Sequence, residues 1–504
     1  MLPETLCEAA RRFGERTAYV AEAGWSLTYT DLDRASDAAA VGLARHGVGI
    51  GDVVGVVLPP TPDFLIAYLA IAKVGAIIAG VNDRLTPPER RVVLERADPK
   101  LVLATAELAA PEFATVDVTL GTSPGTVLSA VRIDDETPQI VAADPARDVA
   151  IVFTSGTTGV PKGARYGNRQ LACITQTDVG DVWDTGGRSF TGTSFAHLGF
   201  ITKLPGNLRR GGVNFMMTRW RAKDALALLE RERLTTVAGV PTQLALMLRD
   251  DGFDRRDLTS VQFIVAGGGP ITPGLAEEAR TRFGARLATR YSCTEAGIGL
   301  GTAFDDPEED AVVSVGRPLP GVTLAVRPAD DPERVEDVEP GAIGEVCLRS
   351  AACMSGYWRD PDATLAALTR DGFIRTGDLG AIDELGRLRL VGRAKEMYVR
   401  GGYNVYPVEV EAVLSTHPQI GALAIVPRPD PVMGEIGVAC IVAREGAPSP
   451  TLLALREFLA PHVAAYKLPE AVELFDALPL TPGEKIDRRA LIDAVAAHTT
   501  SRES

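Results

Sequence analysis

Within thirteen residues, Ile151-Val-Phe-Thr-Ser-Gly-Thr-Thr-Gly-Val-Pro-Lys-Gly163 gathers four hydroxyls, three glycines and a lysine. The chemistry open to such a set is the capture of phosphate. Glycines such as Gly156 and Gly159 let backbone N–H groups converge on an anion, the hydroxyls of Thr154, Ser155, Thr157 and Thr158 can donate, and Lys162 adds positive charge. The apolar run before it reads as a buried strand that would present the loop. The segment is not the GxxxxGKS/T loop, because Pro161 stands where the second glycine belongs. By composition alone, a Ser/Thr/Gly loop after a strand also describes an ordinary turn.

Further short motifs follow in order: Val265-Ala-Gly-Gly-Gly-Pro270, Tyr291-Ser-Cys-Thr-Glu295, Gly316-Arg-Pro318, Gly344-Glu345 and Arg375-Thr-Gly-Asp378. Then come Gly392-Arg-Ala-Lys-Glu396, Gly401-Gly-Tyr-Asn-Val-Tyr-Pro-Val-Glu-Val-Glu411 and Leu480-Thr-Pro-Gly-Glu-Lys-Ile-Asp487. In this order, over roughly residues 20 to 490, they resemble the adenylate-forming superfamily of acyl-CoA synthetases, luciferases and nonribosomal-peptide adenylation domains, and its acid:CoA ligases above all.

The resemblance implies ATP, Mg²⁺ and coenzyme A, with a small carboxylic acid adenylated first and its acyl group then passed to a thiol. It also implies residue roles. The loop 154–159 with Lys162 would wrap phosphate, and Gly267, Gly268 and Gly269 would line the adenine with Tyr291 against it. Thr294 would touch the α-phosphate and Glu295 would hold Mg²⁺. Asp378 would accept from the ribose hydroxyls, and Arg393 would reach ribose or phosphate. Lys485, by itself an ordinary solvated lysine, would bridge the substrate carboxylate and the α-phosphate. Lys395 would be the hinge about which a small domain turns between half-reactions, and Gly402 would line the pantetheine channel.

Thr193-Ser-Phe-Ala-His-Leu-Gly199 resembles one wall of the family's acyl pocket, with His197 as its histidine, although a core or helix-capping histidine is an equal reading. The floor would include Ala266 to Gly269 and Ala296 to Leu300, with Ala296 and Gly297 leaving room for an apolar acid, fatty or alicyclic and steroid-derived. No aspartate lies between Thr191 and Thr202 to receive the ammonium of an amino acid. Two residues depart from the family's pattern. Asn168 replaces a histidine six residues after Lys162, and Glu484 replaces the glycine before Lys485, placing an acid beside the residue that should meet a carboxylate.

The elements that must position these groups alternate. Val53 to Leu58, Ala150 to Phe153, Val261 to Ala266 and Glu345 to Leu348 read as strands, while Thr30 to Arg45, Ala222 to Glu232 and Pro273 to Phe283 carry helical apolar spacing. The pattern predicts an α/β fold with buried, largely parallel sheets. Pro328 to Pro340 reads as a surface loop. The texture changes again after Arg393, where helices at Pro407 to Ser415 and Leu452 to Leu459 flank strands near Ala422 to Val426 and Ile436 to Val442. The expected architecture is a large multi-sheet α/β domain over residues 1–393 and a small, mobile α+β domain over 394–504.

The length of 504 residues exceeds the range of a single core. A net charge of -14 argues against broad binding of nucleic acid. Cys7, Cys173, Cys293, Cys347, Cys353 and Cys440 form no CxxC pair, which suggests neither zinc nor a disulfide framework and fits a cytoplasmic setting. Glu4 stands where an export signal would be basic. Phe64 to Val81 has the length of a membrane span but contains Lys73, Gly75 and Gly80, and it reads as a buried helix followed by a buried strand. The acceptor left open beside coenzyme A is a carrier-protein thiol, a homo-oligomer is left open too, and the alternative of another class is a non-catalytic nucleotide-binding scaffold.

Overall fold

The computed structural model describes residues 1–154, 160–269, 271–329 and 334–503, with side chains through residue 498. Val53–Val57 and Ile77–Gly80 are buried at every position, as strands covered on both faces must be. They lie at the centre of a six-stranded sheet ordered Thr115–Asp117, Leu101–Ala104, Val53–Val57, Ile77–Gly80, Asp148–Thr154 and Lys162–Gly167. Every pairing is parallel except the last, which is antiparallel with Thr154 opposite Lys162. The two ends of the expected phosphate loop are therefore registered across from one another. Ser155, Gly156, Thr157, Thr158 and Gly159 themselves lie outside the described residues.

The Phe64 to Val81 stretch folds as helix Pro62–Lys73 and strand Ile77–Gly80. Lys73 is fully buried at the end of that helix, and its ammonium donates to Asp33 at 2.6 Å and Asp37 at 2.7 Å on helix Tyr29–Arg45. Paired this way, a cation is tolerated inside an apolar layer. Among the described residues no helix is long and apolar enough to cross a membrane.

A second sheet holds Thr236–Gly239, Phe263–Gly267 and Arg286–Tyr291 in parallel, then Leu300–Gly301 and Arg317–Pro318 antiparallel. Helices Ala222–Arg231, Pro241–Leu248 and Pro273–Phe283 cover it around a core that includes Leu226, Leu244 and Ile264. Two four-stranded sheets complete this large lobe. One is Ser26–Thr28, Thr17–Val20, Val213–Met216, Arg188–Thr191, and the other is the antiparallel Thr323–Arg327, Gly344–Arg349, Ile374–Ile382, Leu388–Arg393.

The last sheet stands apart. It contains Tyr403–Val405, Tyr398–Arg400, Gly434–Ala443 and Ile420–Asp430, with Ala471–Leu474 alongside, and is flanked by helices Pro407–Leu414, Leu452–Leu459 and Arg488–Glu503. Its two hydrophobic clusters draw only on residues from Tyr398 onward. The molecule is thus a mixed α/β protein with a large N-terminal and a small C-terminal part.

Candidate active site

Strand Arg286–Tyr291 ends where the chain turns through Thr294 and Glu295. The turn is held from outside. Tyr166 donates its hydroxyl to the Thr294 carbonyl at 2.5 Å, and the Met354 N–H donates to the Glu295 carbonyl at 2.9 Å. Gly297 has φ +73, and a Cβ there would lie 2.4 Å from the Ala352 carbonyl oxygen, so glycine is required. The Glu295 carboxylate accepts from the Tyr357 hydroxyl at 2.6 Å. Tyr357 arrives on a segment stitched to strand Lys162–Gly167, where Arg165 N–H donates to Gly356 at 3.0 Å and Trp358 N–H to Gly163 at 2.7 Å. The Lys162 ammonium sits 5.2 Å from the Tyr357 ring centroid. Lys162, Tyr357 and Glu295 therefore stand in one file. Burial, reinforced by the Glu295 charge, pushes the Tyr357 hydroxyl above its ordinary pKa, so it remains a donor.

A second group forms around Asp378. The Tyr291 hydroxyl donates to one carboxylate oxygen at 2.7 Å and Arg393 Nε to the other at 2.8 Å, Asp378 and Arg393 being register partners across two strands. Each oxygen keeps acceptor capacity for a further donor. Burial, and then the Asp378 charge, holds Tyr291 well above the usual phenol value.

Lys485 comes from the small lobe on a tight hairpin. Leu480 and Ile486 form a bridge, Thr481 N–H donates to the Lys485 carbonyl at 2.7 Å, and Glu484 N–H donates to the Thr481 carbonyl at 2.8 Å. Arg488 ties this hairpin to the lobe, gripping Glu411 with two bonds of 2.8 and 2.9 Å and Glu396 at 3.1 Å. Lys485 keeps solvent contact and has no ion pair among the described residues, yet protein crowds it. Burial and then the Arg393 charge lower its pKa, and the Asp378 charge opposes them.

The same hairpin covers His197. A Cβ at Gly483 would lie 4.0 Å from His197 Nε2, which faces Asn82 Nδ2 at 3.1 Å. Burial, then the charges of Lys485 and Arg84, bring His197 down to about 4, so its imidazole is neutral near pH 7. Phe195 and Phe200 stack beside it with centroids 3.6 Å apart.

Other expected residues fall as follows. Gly267 lies close to the neighbouring strand, with a Cβ position 2.8 Å from the Arg290 carbonyl, and Gly268 has φ +77. Gly269 follows, exposed. Ala266 is 2% exposed and packs in the core beneath the sheet, so the upper face of its strand is offered by the alternate residues Val265 and Gly267. Ala296 is fully buried among Tyr291, Leu300 and Val346. Gly402 occupies a turn at φ +85 with open space where a side chain would project. Lys395 is exposed in the turn between strands Leu388–Arg393 and Tyr398–Arg400.

Both departures have structural accounts. Asn168 is buried at the start of helix Asn168–Val179, the far end of strand Lys162–Gly167 from the loop, and donates to the Asp144 carbonyl at 2.9 Å. The Glu484 carboxylate turns away from Lys485 and is held by Arg84 at 2.5 Å and by Gln243. Tyr357, Asn82, Arg84 and Gln243 are site neighbours that sequence reasoning missed. Nothing in the local sequence around them marks them, since what brings them here is sheet order.

Residues 6–358 match the AMP-binding enzyme family, and residues 409–485 match the AMP-binding enzyme C-terminal domain. The chain belongs to the family of AMP-binding enzymes. It is 34% identical to the fatty acid–acyl-carrier-protein ligase ScoC of Streptomyces coeruleorubidus, over 93% of this chain and 92% of that protein. It is 32% identical to a 7a-methyl-1,5-dioxo-octahydro-1H-inden-4-yl propanoyl:CoA ligase of Mycobacterium tuberculosis, over 97% and 98%. The ATP-bound crystal structure of MatB from Rhodopseudomonas palustris superimposes with TM-score 0.85 at 25% identity, covering 98% of this chain and 99% of that one. As a member of this family the AMP-binding chain is an AMP-forming acid–thiol ligase.

The residue that would hold the magnesium expected with ATP is Glu295, and among the described residues no cluster of three His, Cys, Asp or Glu forms an all-protein metal cage. That donor set fits an ion bound mainly by nucleotide phosphates and water through one or two protein carboxylates. Tyr357 uses one Glu295 oxygen, and the other makes no hydrogen bond among the described residues.

Proposed function

We propose that the protein is an ATP-dependent acid:CoA ligase acting through an acyl-adenylate on an apolar acid, fatty or alicyclic. The observation that carries the reading is that the hairpin carrying Lys485, from the small lobe, lies over His197 of the large lobe and is held there through Glu484 by Arg84 and Gln243. Attack of a carboxylate on an α-phosphate brings two anions together, and a cation such as Lys485, which has no ion pair among the described residues, offsets that repulsion where it develops. In this reading Asp378 accepts the ribose hydroxyls while Tyr291 and Arg393 hold its carboxylate in place, and Lys162 and the hydroxyl loop bind phosphate. Magnesium, held by Glu295, would neutralise phosphate charge. Neutral His197, backed by the buried stack of Phe195 and Phe200, gives the acyl side an uncharged wall, which supports an apolar acid.

We assign residues 1–393 to the adenylating domain and 394–504 to the domain carrying Lys485, with Lys395 as the hinge that lets a thiol reach the acyl carbon in the second step. The small lobe's own clusters support this division. Likeness to ScoC keeps a carrier-protein thiol as a second acceptor.

Mass spectrometry of the protein incubated with ATP, Mg²⁺, CoA and pooled fatty, aromatic and alicyclic acids tests the reading. An acyl-CoA is expected. Accumulated acyl-adenylate alone would move the acceptor to a carrier protein, and ATP binding without acid-dependent turnover would favour a scaffold.

A further inference from the structure

We propose that Glu484, Arg84 and Gln243 form a latch between the lobes that positions Lys485 for adenylation and must open before the thiol step. The proposal rests on the two-step reading above.

Glu484 occupies a backbone position at φ +61, the left-handed region where side chains are disfavoured and glycine is at ease. A glutamate held there needs a compensating interaction, and the large lobe supplies two. Arg84 Nη1 donates to Oε1 at 2.5 Å from the loop after strand Ile77–Gly80, and Gln243 Nε2 donates to Oε2 from helix Pro241–Leu248. Both partners are fixed beforehand. Arg84 N–H is bound by the Asn82 side chain at 3.0 Å, and the Gln243 carbonyl oxygen accepts from Val240 N–H at 3.2 Å while its residue is 2% exposed.

The pair is half-shielded, with Glu484 14% and Arg84 27% exposed, so salt screens it less than a surface pair. Its place along the chain gives it leverage. Glu484 is one bond from Lys485 in a hairpin with no slack, and Asn82, which sets Arg84, also faces His197. Closing the latch therefore fixes the height of the lysine over His197 and, by neutralising Glu484 on Arg84, keeps an acid from repelling an incoming carboxylate. Swinging the small lobe away breaks both bonds together, which slows departure from the adenylating arrangement. Glu484 and Arg84 are positioning residues in this scheme, and neither touches a reacting atom.

The test compares wild type with Glu484→Gly, Arg84→Ala, Glu484→Gln and the Arg84→Ala/Glu484→Gly double variant. Spin labels on non-natural side chains at the exposed positions Val182 and Leu453 report the distance between lobes without disturbing the six cysteines. Decanoate-dependent ATP–pyrophosphate exchange and CoA thioester formation from supplied decanoyl-adenylate report the half-reactions separately. Glu484→Gly and Arg84→Ala are expected to broaden the distance distribution, to lower exchange about tenfold, and to leave thioester formation equal or faster. The double variant should be no worse than either single one, and Glu484→Gln, whose one amide oxygen can accept from Arg84 while its NH2 meets the Gln243 donor, keeps one of the two bonds and should fall between wild type and Glu484→Gly in both distance distribution and exchange.

A distribution unchanged in Glu484→Gly would overturn the latch, as would an equal loss in both half-reactions, which marks a merely structural defect. Failure of the underlying reading looks different. Wild type would then exchange no pyrophosphate with any acid of the pool, while the spin-label distances still decide whether the latch exists.

Discussion

Lys485 is a cation on a braced hairpin with no ion-pair partner among the described residues, its pKa lowered first by burial and then by the Arg393 charge. Charge in that state is available to a substrate. Lys485→Ala is expected to lower acid-dependent pyrophosphate exchange by about 10²- to 10³-fold, the usual loss for a group aimed at developing charge, while thioester formation from supplied acyl-adenylate persists. Because the lysine pKa is lowered, exchange should fall on the alkaline side at a lower pH than an ordinary lysine would give. His197 makes a stability prediction. Its folded pKa of about 4 lies below the unfolded value, so its contribution is complete above about pH 6.5 and is lost as pH falls towards 4. At pH 5 the loss is about 2 kcal/mol, and His197→Asn should remove that part of the acid slope in urea unfolding midpoints measured between pH 7 and 5.

At the scale of elements, the turn after strand Arg286–Tyr291 aims Thr294 and Glu295 only because neighbouring segments approach its backbone closely. Gly297→Ala introduces both a left-handed side chain and a 2.4 Å approach to the Ala352 carbonyl. A cost of about 2 kcal/mol or more is expected, read as a lower urea midpoint together with weaker ATP binding, since Glu295 moves with the turn. Helix Pro62–Lys73 shows a different dependence. Its terminal lysine is buried against Asp33 and Asp37, and Lys73→Met leaves two acids facing an apolar neighbour. Asp33 and Asp37 stay 26% and 35% exposed, so water relieves part of their loss and a cost of about 1 to 3 kcal/mol is expected, read as a lower urea midpoint for that variant.

For the whole molecule, the chemistry depends on how two lobes meet. The exposed turn at Lys395 joins strand Leu388–Arg393 of one to strand Tyr398–Arg400 of the other. Lys395→Pro is expected to retain acid-dependent pyrophosphate release and to lose thioester formation, because proline fixes its own φ and restricts Ala394. Thioester formation at the wild-type rate would move the hinge elsewhere.

Local pattern was enough for much of this protein. Helix Pro273–Phe283 and helix Leu452–Leu459 lie where apolar spacing puts them, and the strands at Val53–Val57 and Asp148–Thr154 follow from short β-branched runs, because both signals depend on residues adjacent in the chain. The motifs that name the family were legible for the same reason. Tertiary structure alone decided which groups meet. Tyr357 reaches Glu295 across 62 residues and Arg84 reaches Glu484 across 400, and no periodicity encodes separations set by sheet order. It also decided that Ala266 faces the core, that Asn168 braces a distant helix start, and that the acid beside Lys485 points away from it. Side-chain direction and long-range pairing are properties of packing, and a sequence read one neighbourhood at a time does not contain them.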